Sequence, residues 1–131
     1  MSGWSGSLNA FYRKKIVAAS SKIAARTCGV DFDLVSKNQR KAPVAFARQL
    51  AMYLCHVVAD MSLRDVAEEF ERDRTTVSHA CHAIEDRREC PIFDRQIEHL
   101  ENELADKIRA MVIGDAKSRP LIEKKAFRLV G

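Results

Sequence analysis

Ser62-Leu-Arg-Asp-Val-Ala-Glu-Glu-Phe-Glu-Arg-Asp-Arg-Thr-Thr-Val-Ser-His-Ala80 is the stretch on which the reading of this chain turns. Ser62 with Asp65 predicts a capped, short helix whose Leu63, Val66, Ala67 and Phe70 line one face. Asp73, followed three residues later by Thr76, predicts the start of a second helix with Val77, Ala80, Cys81 and Ile84 as its inward stripe. The turn between them falls at Glu71 to Arg74. A short helix, a tight turn and a helix opening on small polar residues form the helix-turn-helix arrangement of DNA readers. The second helix of such a pair brings its first turn to base edges, so short side chains and free N–H groups are needed there. Arg74-Thr-Thr-Val-Ser78 meets that demand: an arginine can donate twice to guanine O6 and N7, and a threonine methyl suits a thymine methyl. The plainer reading is that Thr75 and Thr76 only fill a helix start.

On the N-terminal side, a helix is predicted from about Leu8 or Asn9 to Thr27, with Phe11, Ile16, Val17, Ala19, Ile23 and Ala24 as its apolar face and Gly29 as its C-terminal cap. Val30 to Val35 reads as a tight helical turn that drops Phe32, Leu34 and Val35 onto the core. A basic loop from Ser36 follows and ends at Pro43, a residue suited to a helix start. From Val44 to about Ala59, Phe46, Ala47, Leu50, Ala51, Leu54, Val57 and Val58 recur at three- and four-residue spacing and predict a central, heavily buried helix. Tyr53 is expected at its edge. The C-terminal side carries a helix from about Ile92 to Met111, broken at Gly114. Strand-like alternation is scarce throughout, so the fold class is all-α, a compact helical bundle.

The 131 residues suffice for one domain with tails: a tail at 1–8, the helix-turn-helix domain at 9–112 and a tail at 113–131 whose basic, amphipathic Leu121 to Val130 is a candidate for partner contact. No apolar run approaches a membrane span, and nothing at the start resembles a signal peptide, so a cytoplasmic, nucleoid-associated protein with no membrane partner is expected. Cys28, Cys55, Cys81 and Cys90 are read as reduced and mostly buried thiols.

The net charge of +4 is unevenly distributed. Residues 1–30 hold Arg13, Lys14, Lys15, Lys22 and Arg26 with no acid, and 61–90 have five basic residues against eight acidic. The basic first helix is read as a solvated face. The acidic excess supports an alternative to DNA reading, a protein-interaction adaptor or modulator of replication initiation.

Three segments raise the DNA reading above this alternative. Arg48-Gln-Leu-Ala-Met-Tyr-Leu54, Ser62 to Ala67 and Arg72-Asp-Arg-Thr-Thr-Val-Ser-His-Ala80 resemble the C-terminal DNA-binding domain of the bacterial replication initiator DnaA, a Trp-repressor-like bundle. The family usually writes its signature Gly-Gly-Arg-Asp-His-Thr-Thr-Val with a His-Ala-Cys-like continuation, similar to Arg72 to Val77 and His79 to Cys81 here. The resemblance extends over roughly residues 12–110. It implies that Arg48 enters the minor groove and that Asp73, Arg74, Thr75, Thr76 and Ala80 read or approach bases. It also implies backbone contacts by Lys37, Arg40 and Lys41 in the loop, and by Ser62, Arg72, Ser78 and His79 around the turn.

Three departures stand out. Arg74 replaces the signature histidine, Glu71 replaces two glycines and shortens the turn, and the loop before Arg48 is one residue longer. A guanidinium changes the donor pattern at a base-reading position, so the family's usual DNA box is not the assumed target. The sequence contains no Gly-x-x-x-x-Gly-Lys-Ser/Thr loop, so the expectation is a stand-alone reader with no nucleotide partner. The resemblance further implies a transcription regulator, an activator of the kind found with phage-like gene clusters, working with a protein partner. No cofactor, metal or enzymatic activity is expected: His79, Cys81 and His82 crowd one helical turn and no Cys-x-x-Cys pair occurs.

Overall fold

A computed structural model describes residues 6–35 and 41–118 of the chain. Six helices follow one another without a strand among the described residues: α1 Gly6–Cys28, α2 Phe32–Val35, α3 Ala42–Val57, α4 Leu63–Phe70, α5 Arg74–Arg87 and α6 Pro91–Ser118. The architecture is the all-α bundle the apolar periodicity requires. α3 is its axis, with α1 on one side and α5 on another making the most extensive interfaces.

α3 begins where Lys41 takes an extended conformation as N-cap and Pro43 occupies the first turn. Proline is favourable there because its missing N–H has no partner to lose. Leu50 through Cys55 are then all buried, which a helix tolerates only when neighbours cover every side. Tyr53 is therefore inside at 3% exposure, not at the helix edge, while Val57 at the C-terminal end is 41% exposed. Burial of Tyr53 requires a partner for its hydroxyl, and Arg88 donates to it at 2.8 Å. Arg88 also donates to Asp94 at 2.6 Å and to Glu101 at 2.8 Å, tying α3, the end of α5 and α6 together. Burial works against the Arg88 charge, but these hydrogen bonds and the nearby carboxylates raise its pKa and keep it protonated.

The buried face of α1 runs through Tyr12, Ile16, Ile23, Ala24 and Ala25. Phe11, expected on that face, is 64% exposed and packs edge-on against Tyr12. A one-residue shift in phase rotates a helical position by about 100°, enough to exchange the two rings between core and solvent. Phe32 also stays partly outside at 40%, under the ammonium of Lys22, and Val35 alone of its turn is fully buried. α6 presents Ile97, Leu100, Leu104 and Ile108 inward and passes through Gly114 without a break. A glycine inside a helix costs only about 1 kcal/mol relative to alanine. The apolar ladder upstream, extended by Met111 and Val112 against the core, outweighs that.

Two helices end in the same hydrogen-bond pattern. At Gly29, with φ +68°, the Val30 amide donates to the Ala25 carbonyl and the Gly29 amide to Arg26. At Glu71, with φ 54° and ψ 51°, the Arg72 amide donates to Ala67 and the Glu71 amide to Glu68. Both are Schellman motifs, whose left-handed residue is favourably glycine. Glu71 fills that role with a Cβ, and so carries strain that Gly29 does not.

Among the described residues the four cysteines are free: Cys55 and Cys81 are buried, Cys28 is partly buried and Cys90 is exposed. Burial pushes the Cys55 thiol up to about 12, and the thiol donates to the Ser20 hydroxyl at 3.3 Å. Burial likewise lifts Cys81 to about 11, with Glu85 adding to the effect.

Two outcomes follow. Glu71→Gly should stabilise the protein by about 1 kcal/mol, read as a higher urea midpoint at unchanged slope; an unchanged or lower midpoint would mean the turn is unstrained. The folded pKa values of Cys55 and Cys81 lie above their ordinary 9.0, so the stability they contribute is complete below that pH and is lost as pH rises through about 11 and 12. Thiol labelling of the native protein should therefore reach Cys90 quickly and Cys55 and Cys81 only on unfolding.

Candidate nucleic-acid interface

The apolar face of α4, Val66, Ala67 and Phe70, is buried, and its outer face carries Arg64, Asp65, Glu68 and Glu69. Ser62 caps it: its side-chain oxygen accepts from the Asp65 amide at 3.0 Å. The acidic residues are engaged by the basic first helix. Arg13 lies 3.2 Å from Asp65, 3.1 Å from Glu68 and 2.8 Å from Glu69, and Lys14 lies 3.3 Å from Glu69. Part of the positive excess of residues 1–30 is thus an internal clamp on α4 and not merely a solvated face. The acidic excess of 61–90 is to the same extent consumed inside the fold.

With α4 held, the Schellman turn at Glu71 directs the chain into α5. Asp73 sits at the N-cap in an extended conformation, but its side chain makes no capping hydrogen bond. Arg74, Thr75 and Thr76 fill the first turn and are exposed, while Val77 anchors the helix in the core at 0% exposure. The positive end of the α5 dipole and its unpaired first-turn amides therefore face outward together with a guanidinium and two hydroxyls. Ser78 is half-buried and His79 exposed, one helical turn further on.

Ala80 is different. At 3% exposure it belongs to the inward stripe with Val77, Cys81 and Ile84, so its methyl is core packing and is not available to a base. Cys81 points inward and His79 and His82 outward, which separates the crowd of ligand-type residues noted in the sequence.

Arg48, on the second turn of α3, is half-buried and its Nε donates to the Val35 carbonyl at 3.2 Å. Burial, and secondarily the charge of Arg72, lowers its pKa. Arg72 is itself fixed by donation to the carbonyls of Phe70 at 2.9 Å and Glu71 at 3.1 Å. Lys41, the N-cap of α3, is exposed; Lys37 and Arg40 lie outside the described residues. The structure thus joins Asp73, Arg74, Thr75 and Thr76 in one exposed run at the start of α5 and holds Arg48 against the Val35 carbonyl.

Sequence reasoning missed Arg64. It is exposed in the first turn of α4 and has no ion-pair partner among the described residues, unlike the carboxylates that follow it. The usable signal was its phase: it lies about 160° around the helix from Val66 and about 120° from Phe70, off the buried stripe.

A family model for the helix-turn-helix of bacterial DnaA protein matches residues 18–84, which include α3, α4 and most of α5. The chain belongs to this DnaA helix-turn-helix family. A solved structure described as a DNA replication initiation factor is similar to it over 77% of this chain, at 29% identity and a TM-score of 0.65. This chain spans only a third, 33%, of that protein. A helix-turn-helix domain of the DnaA type is a DNA-binding domain, and DNA binding is the activity this fold supports. Among the described residues, no helix is long and apolar enough to cross a membrane.

Arg13→Ala should loosen α4 and cost about 1 kcal/mol of stability at low salt, the upper range for a partly exposed ion-pair network, and less at high salt. Salt-dependent melts check this; a loss independent of salt would assign the effect to packing of the Arg13 stem.

Proposed function

We propose that the chain reads a specific double-stranded DNA sequence and acts as a transcription regulator. The observation that carries the first part is the exposed turn Arg74-Thr-Thr76 at the positive end of α5, set on a helix anchored by Val77 and Ile84. In this reading α5 lies in the major groove. Arg74 donates to a guanine edge, Thr75 and Thr76 contact neighbouring bases, and Asp73, uncommitted to capping, accepts from an exocyclic amine. Arg48 leaves the Val35 carbonyl to enter the adjacent minor groove. Lys41, Arg64 and Arg72 hold phosphates together with the N-terminus of α4 at Ser62, and Ser78 and His79 flank them; Lys37 and Arg40 extend this set along the loop.

The regulator role, as an activator with a protein partner, rests on the likeness to DnaA-type domains. The segment Leu121 to Val130, a candidate for partner contact, lies outside the described residues. The adaptor alternative loses its main support, because Asp65, Glu68 and Glu69 are engaged by Arg13 and Lys14.

A duplex selected from a random pool and titrated at several salt concentrations tests the reading. Arg74→Ala should cost about 1–3 kcal/mol and relax specificity, and Lys41→Ala should weaken all sequences alike and reduce the salt slope by about one phosphate contact. Binding that is absent, or insensitive to salt, would restore the adaptor.

A further inference from the structure

Most arginines away from the helix-turn-helix are spent inside the fold: Arg13 on Asp65 and Glu69, Arg26 on Glu103, Arg88 on Asp94 and Glu101. Arg87 and Arg95 are exceptions, with no ion pair among the described residues. Both are exposed, and both stand where α5 ends and α6 begins. The nearby carboxylates Asp94 and Glu103 are engaged by Arg88 and Arg26.

The surface between these two cations is apolar. The Arg87 guanidinium lies over two rings, 4.4 Å from the centroid of Phe46 and 4.7 Å from that of Phe93, which restricts where its five donors can reach. Beneath it a cavity of about 300 Å³ is floored by Leu50, Ile97 and Leu100. It continues past Leu100 into a groove of about 510 Å³ bordered by Arg95 and Ile92. Ile92 is 69% exposed, the most exposed of the large hydrophobic side chains described. An apolar trough with an oriented arginine at one side and a second arginine at the other matches a ligand with an apolar stripe and carboxylates beside it.

We propose that this face docks an acidic, amphipathic helical segment of a partner protein, its apolar residues on Ile92 and the partly exposed Phe93 and its carboxylates on Arg87 and Arg95. Charge complementarity selects this occupant over the chain's own end: residues 119–131 carry Arg119, Lys124, Lys125 and Arg128 against a single acid, Glu123. The face lies at the opposite end of α5 from Arg74, about 20 Å along a helix of 14 residues, so DNA and partner use different ends of one element. The docking face stands on its own residues and is independent of which DNA sequence is read.

Fluorescence anisotropy tests it with the full chain and a labelled helical peptide bearing leucines at i, i+3, i+4 and i+7 and glutamates elsewhere. The controls are a peptide of the same composition with the leucines dispersed and one with lysines for the glutamates. The acidic amphipathic peptide should bind about tenfold or more tightly than either control. Ile92→Ser should weaken it about fivefold or more, as should Arg87→Glu with Arg95→Glu, while thermal melts and DNA titration of Ile92→Ser match the parent protein. Absence of peptide binding, equal binding of the dispersed peptide, or binding unchanged in both variants would overturn the proposal. So would a dimer in sedimentation equilibrium that Ile92→Ser abolishes, which would assign the face to a second copy of the chain. Retained DNA binding in any of these outcomes leaves the DNA reading intact.

Discussion

The complete burial of the middle of α3 is the constraint from which the remaining structure follows. Leu50 through Cys55 leave no side of the helix for solvent, so other helices must enclose it, and their own apolar stripes determine how they do so. α5 contributes Val77, Ala80, Cys81 and Ile84, and those four positions fix its rotation. Once they are inside, Thr75, Thr76 and His79 have only the outside to occupy, and Arg74 is exposed beside them because it begins the helix. The make-up of the exposed first turn is thus largely a consequence of core packing. The same rule removes Ala80 from the base-reading set despite its place in the family signature.

Electrostatics refine what burial begins. α4 is eight residues long, too short to be stable alone, and its orientation determines where the turn delivers α5. Two devices hold it: the Arg13 and Lys14 clamp on its acidic face, and the Schellman turn at Glu71 with its accommodated positive φ. The chain spends cations on α4 and keeps others exposed, Arg64 and Arg74 on the helix-turn-helix and Lys41 at the start of α3. A nearly balanced total charge therefore coexists with exposed cations, which a DNA reader needs.

Much of this was legible in the residues. Ser62, Gly29 and Pro43 announced helix ends by their own chemistry, and the stripes of α4, α5 and α6 followed from helical spacing. Phase within α1 was not legible, because Phe11 and Tyr12 are equally apolar neighbours and only packing against α3 chooses between them. Tyr53 was expected at an edge and is inside instead, because its hydroxyl finds a partner, Arg88, 35 residues away in sequence. The break expected at Gly114 failed because a local cost of about 1 kcal/mol was set against a continuous buried ladder. At the candidate site, the polar first turn of α5, Arg74 to Thr76, was visible from residue types, whereas the Arg48 bond to Val35, the pairing of the acidic face of α4 and the open position of Arg64 required the third dimension.

The central claim is that the first turn of α5 reads base edges in the major groove through Arg74. The most direct measurement replaces each guanine in turn with 7-deazaguanine in a duplex selected by the protein, then compares the affinities of the parent protein and Arg74→Ala. Removing one N7 acceptor at a single position should weaken the parent protein and leave Arg74→Ala unchanged. Equal affinity of the parent protein for every substituted duplex, or an equal loss in both proteins, would contradict the account.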